Sequence, residues 1–345
     1  MLLRAQSFDS STTAADYNSA LVSVLRASVS IQAGGAFGAN YLHSAGQYYE
    51  PMTFLQNFKP IPGGVSGYLG KRFRSTGQVC NIGIYDPSTQ GHFALTITPT
   101  GQPIISRMKS AGFENLDAVL VTGAIGQVPT TGWCFLELCW SISATAGSVS
   151  LRVNGQEVIA VTGVRTQGVT STDASSNAYN LFGFGDFQDI YIADNTGPAP
   201  GNTFFGDVRV YEATPTGAGT ATDFAPTGAA ANWQVAAQAA PAPATIFNSS
   251  TTVGATDLYT AAPIPTGLGV IFGVQVCSTM YKTDAGLRTA SGAIKSGSTL
   301  AVGSSHSLQV TPVIYADVFT VDPATNVAFT NAGVNGLQFG AKILT

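Results

Sequence analysis

Between residues 133 and 164 the chain alternates apolar and polar positions with a period of two. In WCFLELCWSIS (133–143), Cys134, Leu136, Leu138 and Trp140 fall on one side, with Phe135, Glu137, Cys139 and Ser141 on the other. That period belongs to a strand, and apolar groups on both sides predict a strand covered on both faces. Residues 148–153 repeat the pattern, with Val149, Leu151 and Val153 opposite Ser150, Arg152 and Asn154. Asn154-Gly155 follows, a pair that tolerates positive φ and so matches the twist of a tight hairpin. A return strand at 158–162 completes three antiparallel strands, read as the centre of a sheet.

The same reading extends in both directions. Strands are predicted at 28–32, 53–58, 68–73, 79–85, 92–98 and 103–108, with turns at Gly91 and Gly101 and at Asp86-Pro87. Residues 13–25 have partial helical spacing and predict a short helical turn. Residues 163–180 are small and polar, a rim loop. Strands are predicted again at 181–187, 189–192 and 204–211. Residues 214–243 change character to Ala, Gly, Thr and Pro, which predicts a partly extended linker. Beyond it, strands are predicted at 270–278, 288–295, 308–313, 316–321, 327–329 and 337–343.

Two pieces carry a family resemblance. A strand opening in Trp, then S-x-x-L-x-V-N-G at 148–155, resembles the laminin-G/concanavalin-A-like jelly roll. FFGDVRVY at 204–211 looks like the closing strand of such domains, and GGAFG at 34–38 resembles the entry to their second strand. The fold class this implies is all-β: an antiparallel jelly-roll (concanavalin-A-like) sandwich plus a second, smaller β-rich domain. The expected organisation is a sandwich over 1–213, an Ala/Pro/Thr/Gly-rich linker over 214–244 and a C-terminal β-rich assembly domain over 245–345.

A second resemblance covers roughly the last 140 residues. FFGDVRV, ANWQ, KTDAGLR, DPATNVAFT and VNGLQFG occur in an order similar to that of a set of phage virion structural proteins. Asn326 and Phe329 stand where that pattern tends to have Gly and Trp. These motifs are structural, so the resemblance implies a particle component acting through subunit interfaces.

Composition sharpens that expectation. Charged residues are 10% of the 345, against roughly 25% in an average soluble domain. So few charges predict a surface covered in part by other subunits, with a homotrimer favoured and other virion proteins as further partners. The net charge of −4 lacks the dense cationic face that nucleic acid demands. The run Lys71-Arg72-Phe73-Arg74 reads as one strand with exposed cations. No apolar run reaches membrane-spanning length, which excludes a membrane helix as a partner of the bilayer. The four cysteines form no C-x-x-C, and Cys134 and Cys139, an odd offset apart, point to opposite faces. MLLRAQSFDSS at the start has no apolar secretion signal. Synthesis in a bacterial host cytoplasm and residence in the virion are expected.

Candidate chemistry is sparse. His43, His92 and His306 are scattered, and no H-x-x-x-H, G-x-S-x-G or P-loop occurs. Glycoside hydrolysis needs two facing carboxyls, and the central strand carries Glu137 alone, with Glu157 beside the hairpin. A non-enzyme is expected, with no catalytic residue and no cofactor. Calcium is the one ligand worth placing: Asp173, Asn177, Asp194 and Asn195 could converge at a rim, against the favoured reading that they simply make turns. Tyr48, Tyr49 and Tyr179 are candidates for a host surface glycan or for subunit contact. A lectin-like host-recognition protein at a tail or fibre tip is the alternative function, and a polysaccharide depolymerase the third.

Overall fold

The computed structural model describes residues 1–6, 29–38, 41–44, 64–88, 90–110, 115–176, 178–180, 184–197, 201–238 and 245–345. The chain divides into two units, Met1–Val210 and Tyr211–Thr345. The strands expected at 53–58 and the helical turn expected within 13–25 lie outside the described residues.

The first unit opens with β1 (Leu2–Gln6), β2 (Val29–Gln32), β3 (Tyr41–Ser44), β4 (Ser66–Arg74), β5 (Cys80–Tyr85), β6 (Gly91–Ile97) and β7 (Pro103–Met108). It continues with β8 (Leu116–Thr122), β9 (Trp133–Ser141), β10 (Gly147–Val153), β11 (Gln156–Val164), β12 (Ala178–Asn180) and β13 (Gly185–Ala193). A large sheet runs β11-β10-β9-β4-β13-β3-β2, and a smaller one β12-β5-β6-β7-β8. Every pairing is antiparallel. One edge of β13 pairs β3 at its start and β1 at its end, and on the other edge its register with β4 shifts at a bulge between Gln188 and Tyr191.

The two sheets face each other across one apolar core. Leu69, Phe73, Leu136, Leu138, Trp140, Leu151 and Phe187 come from the large sheet, Ile82, Ile84, Phe93, Leu95 and Ile105 from the small one. Trp140 is fully buried, and its indole N–H donates to Ser176 Oγ at 3.1 Å, so its one polar atom is satisfied. Gly67 faces that ring, and a Cβ there would stand 2.4 Å from it. The hairpin at Asn154-Gly155 forms as the sequence predicts, with φ of 50° and 80°, and Asn154 Oδ1 accepts the Phe135 N–H at 2.8 Å.

Several expectations are corrected. The three-strand hairpin unit sits at one end of the large sheet, whose central strands are β9, β4 and β13, because β4, from far upstream, pairs β9 along its whole length. Residues 204–211 are no closing strand; of these, 204–210 cross the outer face of the large sheet as an irregular strap. Lys71 and Arg72 are not exposed cations but are 1% and 5% exposed. Cys134 and Cys139 do point to opposite faces, Cys134 into the core, where burial pushes its thiol up to about 12.

The second unit begins where a linker was expected. β14 (Pro215–Thr222), β15 (Ala225–Thr227) and the short helix α1 (Asn232–Ala236) occupy those residues, followed by β16 (Phe247–Ser249) and β17 (Thr256–Ala261). Ala and Thr in place of larger residues hid the strand: β14 gains its place from pairing with β17, not from a hydrophobic stripe. β18 (Val274–Met280), β19 (Thr289–Ser296), β20 (Thr299–Val302), β21 (His306–Ser307), β22 (Val313–Phe319), α2 (Asn331–Asn335) and β23 (Gln338–Ile343) complete the unit. No strand forms at 308–312. β14-β17-β23-β19-β20, with β21 on β19, make one sheet. The β18–β22 ribbon lies over it on Val276, Ile294, Phe329 and Leu337.

Candidate functional site

The outer face of the large sheet gathers the polar side chains that the core excludes. Strand pairing sets one transverse row there: Ser30 opposite His43, His43 opposite Asp186, Asp186 opposite Arg74, and Arg74 opposite Trp133. His43 Nδ1 lies 2.6 Å from Asp186 Oδ1, and Arg74 Nε donates to Asp186 Oδ2 at 2.7 Å. The Arg74 guanidinium also sits 4.8 Å from the ring centres of both Tyr41 and Trp133, which meet edge to face at 5.6 Å. Partial burial opposes the charge on Arg74, but the Asp186 carboxylate outweighs it and holds the pKa above the ordinary arginine value. The His43 and Arg74 side chains stay 27% and 30% exposed, so this corner offers a cation, an imidazole and an indole to solvent on a rigid base.

Next to this corner the face is closed. Arg72 Nε donates to buried Asp189 at 3.0 Å, and its terminal nitrogen donates to Asp207 Oδ1 at 2.5 Å and to the Val208 carbonyl at 3.2 Å. Phe37 and Phe135 flank the guanidinium at 4.7 and 5.4 Å. Glu137 Oε1 accepts from the Tyr191 hydroxyl and from the Gly206 N–H, each at 2.7 Å. Tyr191 is stacked on Phe205 at 4.6 Å, and burial, aided by Glu137, pushes its phenol well above its ordinary pKa. Gly70 makes the space for that ring, since a Cβ there would stand 2.0 Å from it. The strap therefore plugs the face through main-chain and carboxylate contacts. Glu137, the acid singled out on the central strand, is fully buried beneath it, and Glu157 lies exposed on β11, two strands away.

Two of the calcium candidates, Asp173 and Asp194, have other partners. Asp173 is exposed, and Oδ1 accepts the Ser175 N–H at 2.8 Å, a bond that lowers its pKa. Asp194 is buried; its Oδ1 accepts from the Met1 ammonium at 2.7 Å and from the Thr196 N–H and hydroxyl at 3.0 and 2.7 Å. Asn195 is exposed beside it, and Asn177 lies outside the described residues. Among the described residues no group of three or more His, Cys, Asp or Glu is placed to hold a metal ion. Tyr48 and Tyr49 also lie outside the described residues. Tyr179 lies in β12 with its backbone opposite Ile84. His92 is buried and ties the rim loop down, with Nε2 3.0 Å from the Ser175 carbonyl; burial holds its pKa below the ordinary value.

Sequence reasoning missed His43, Arg74, Trp133 and Asp186 as a set. They come from four strands far apart in the chain, and only the sheet order makes them neighbours. The available signal was modest: Trp133 opens the strand already singled out, and Arg74 ends the cationic run.

No known family profile matches the chain, and no curated protein matches it. Among solved structures it is similar to the CBM40 module of a Ruminococcus gnavus sialidase bound to sialyllactose, at 13% identity over 37% of this chain and 74% of that one, TM-score 0.27. It is also similar to the galectin LEC-6 of Caenorhabditis elegans, at 12% identity over 43% of this chain and 95% of that one, TM-score 0.29. Congerin II, with lactose and MES bound, gives 9% identity over 36% and 90%, TM-score 0.27. Overlays this loose bear on neither ligand nor activity, and the antiparallel, all-β architecture stands on the strand pairings themselves.

Proposed function

We propose that this chain is a non-enzymatic recognition protein whose sandwich binds a glycan at the Tyr41–His43–Arg74–Trp133–Asp186 corner and whose second unit joins copies into an assembly. One observation carries the first half: an indole, a guanidinium and an imidazole, partly open to solvent, converge over a buried carboxylate on a rigid sheet face. An aromatic face for the apolar side of a sugar ring, with fixed donors and acceptors around it, is the equipment such a ligand needs. The plugged remainder of the face, with Glu137 under the strap, supports binding without cleavage.

The assembly half rests on the second unit. Leu287 is 75% exposed, and Val253, Val270, Val310 and Val327 are each at least 60% exposed. Apolar groups in that number are ordinary at the contact between copies, where obligate interfaces bury upward of ~2,000 Å². The likeness of 204–340 to phage virion proteins supports a particle surface as the setting, with a trimer as the assembly.

Glycan-array binding tests the site: one sugar class is expected to bind, and Trp133→Ala and Arg74→Ala, each checked for an unchanged circular dichroism spectrum, are expected to weaken it at least about tenfold, the loss of one good stacking or charged contact. Unchanged binding by both variants would rule the corner out. Release of reducing ends from a bound polysaccharide, abolished by Glu137→Gln, would contradict the non-enzymatic reading. Mass measurement in solution addresses assembly, and a stable monomer at micromolar concentration would refute it.

A further inference from the structure

Lys71 is the strangest residue of the first unit. It alternates in β4 with Leu69 and Phe73 and shares their side, so its side chain enters the apolar core rather than the solvent. There its Nζ lies 4.0 Å from Sγ of Cys80, which belongs to β5 of the facing sheet, and 4.3 Å from the centre of the Phe187 ring. Cys80 is a fully buried thiol outside any disulfide, and Cys134 is a second such thiol of the same core. Burial holds the Lys71 amine below its ordinary pKa, and the two neighbouring thiols only partly offset this. A lysine so placed is a nucleophile in its neutral form, touching sulfur in a site poor in water.

We propose that Lys71 and Cys80 form a site of oxidative cross-linking between the two sheets, closing a sulfenamide bond from Nζ to Sγ. The oxidant is hydrogen peroxide, a small neutral molecule. Peroxide converts the Cys80 thiol to sulfenic acid and is itself reduced, releasing one water. The Lys71 lone pair then attacks sulfur, the S–O bond breaks, and the departing hydroxide leaves with one amine proton as a second water. One N–S bond is gained, the pair loses two hydrogens, and peroxide has taken two electrons. Two equivalents of an added thiol reverse the step, restoring amine and thiol and leaving a disulfide of the reductant. The apolar surroundings favour the amine over water as the group that captures the sulfenic acid.

The test uses the whole chain, purified in dithiothreitol, freed of it and exposed to peroxide. An intact mass lower by two hydrogens is expected, together with a tryptic map in which cleavage at Lys71 is lost and its peptide is joined to that of Cys80. Dithiothreitol should restore both peptides. Lys71→Met, which keeps the apolar packing, should instead leave a Cys80 sulfenic acid that dimedone, present as the chain is unfolded in urea, traps. The proposal fails if Lys71 stays cleavable while Cys80 is recovered as free thiol, as an acid carrying added oxygen, or as a disulfide with Cys134. The wild-type map alone decides the matter should the variant not fold.

Discussion

Arg72→Met should destabilise the sandwich by about 3–5 kcal/mol, the cost of stranding one member of a buried ion pair. Asp189 is buried at a position where the backbone has φ of 48°, and the guanidinium reaches it at 3.0 Å while also fastening the strap through Asp207 and Val208. Removing the cation leaves a carboxylate inside the protein short of its countercharge and loosens the strap at once. Arg72→Lys should recover only part of the loss, because one ammonium cannot fork to both carboxylates. Asp207→Asn should cost under about 1 kcal/mol, since that carboxylate is half exposed and screened. The double variant Arg72→Met/Asp189→Asn is the sharper check: Asn tolerates the positive φ, and stability should return toward wild type. Urea midpoints at constant m measure all four. A double variant no more stable than Arg72→Met would show that the pair is not what holds this face.

Lys71→Met is expected to act the other way, raising stability at neutral pH by roughly 1–3 kcal/mol under reducing conditions, as replacement of buried ionic groups by apolar ones of similar volume often does. The sign follows from linkage. The folded pKa of Lys71 lies below its ordinary value of 10.5, so below that pH the unfolded chain binds a proton more tightly than the folded one. Stability of the wild type should therefore rise with pH between the lowered folded pKa and 10.5, and the advantage of the Met variant should shrink over that window. Parallel stability curves for the two proteins would refute the account. Lys71→Ala is not an equivalent test, because it adds a cavity and its cost.

These two residues also show how much of the fold was legible and where legibility stopped. Alternation alone places Lys71 with Leu69 and Phe73 on one strand face, which was a usable sign of burial. A strand with apolar groups on both sides does not say which side meets the other sheet, and a run of three cations in four residues reads more readily as surface. Arg72 was harder still. Its burial is made by Phe37 and by the strap, remote pieces of chain that cover the sheet from outside. FFGDVRV has the alternation of a strand, yet Phe205, Gly206 and Asp207 find Tyr191, Glu137 and Arg72 rather than a neighbouring ladder.

By itself, then, the sequence determined the things that short-range chemistry controls. A period of two made β9 and β10, Asn154-Gly155 turned the chain between β10 and β11, and the scarcity of helix-forming charged stretches made the chain all-β. Only the tertiary structure decided which strands became neighbours. Antiparallel register ties positions 43, 74, 133 and 186 into one row, and such pairings depend on closing long stretches of chain, where no local preference speaks. It decided, too, that residues 215–222 are a strand, for a Thr- and Gly-rich segment with no apolar stripe of its own becomes one when β17 supplies the hydrogen bonds.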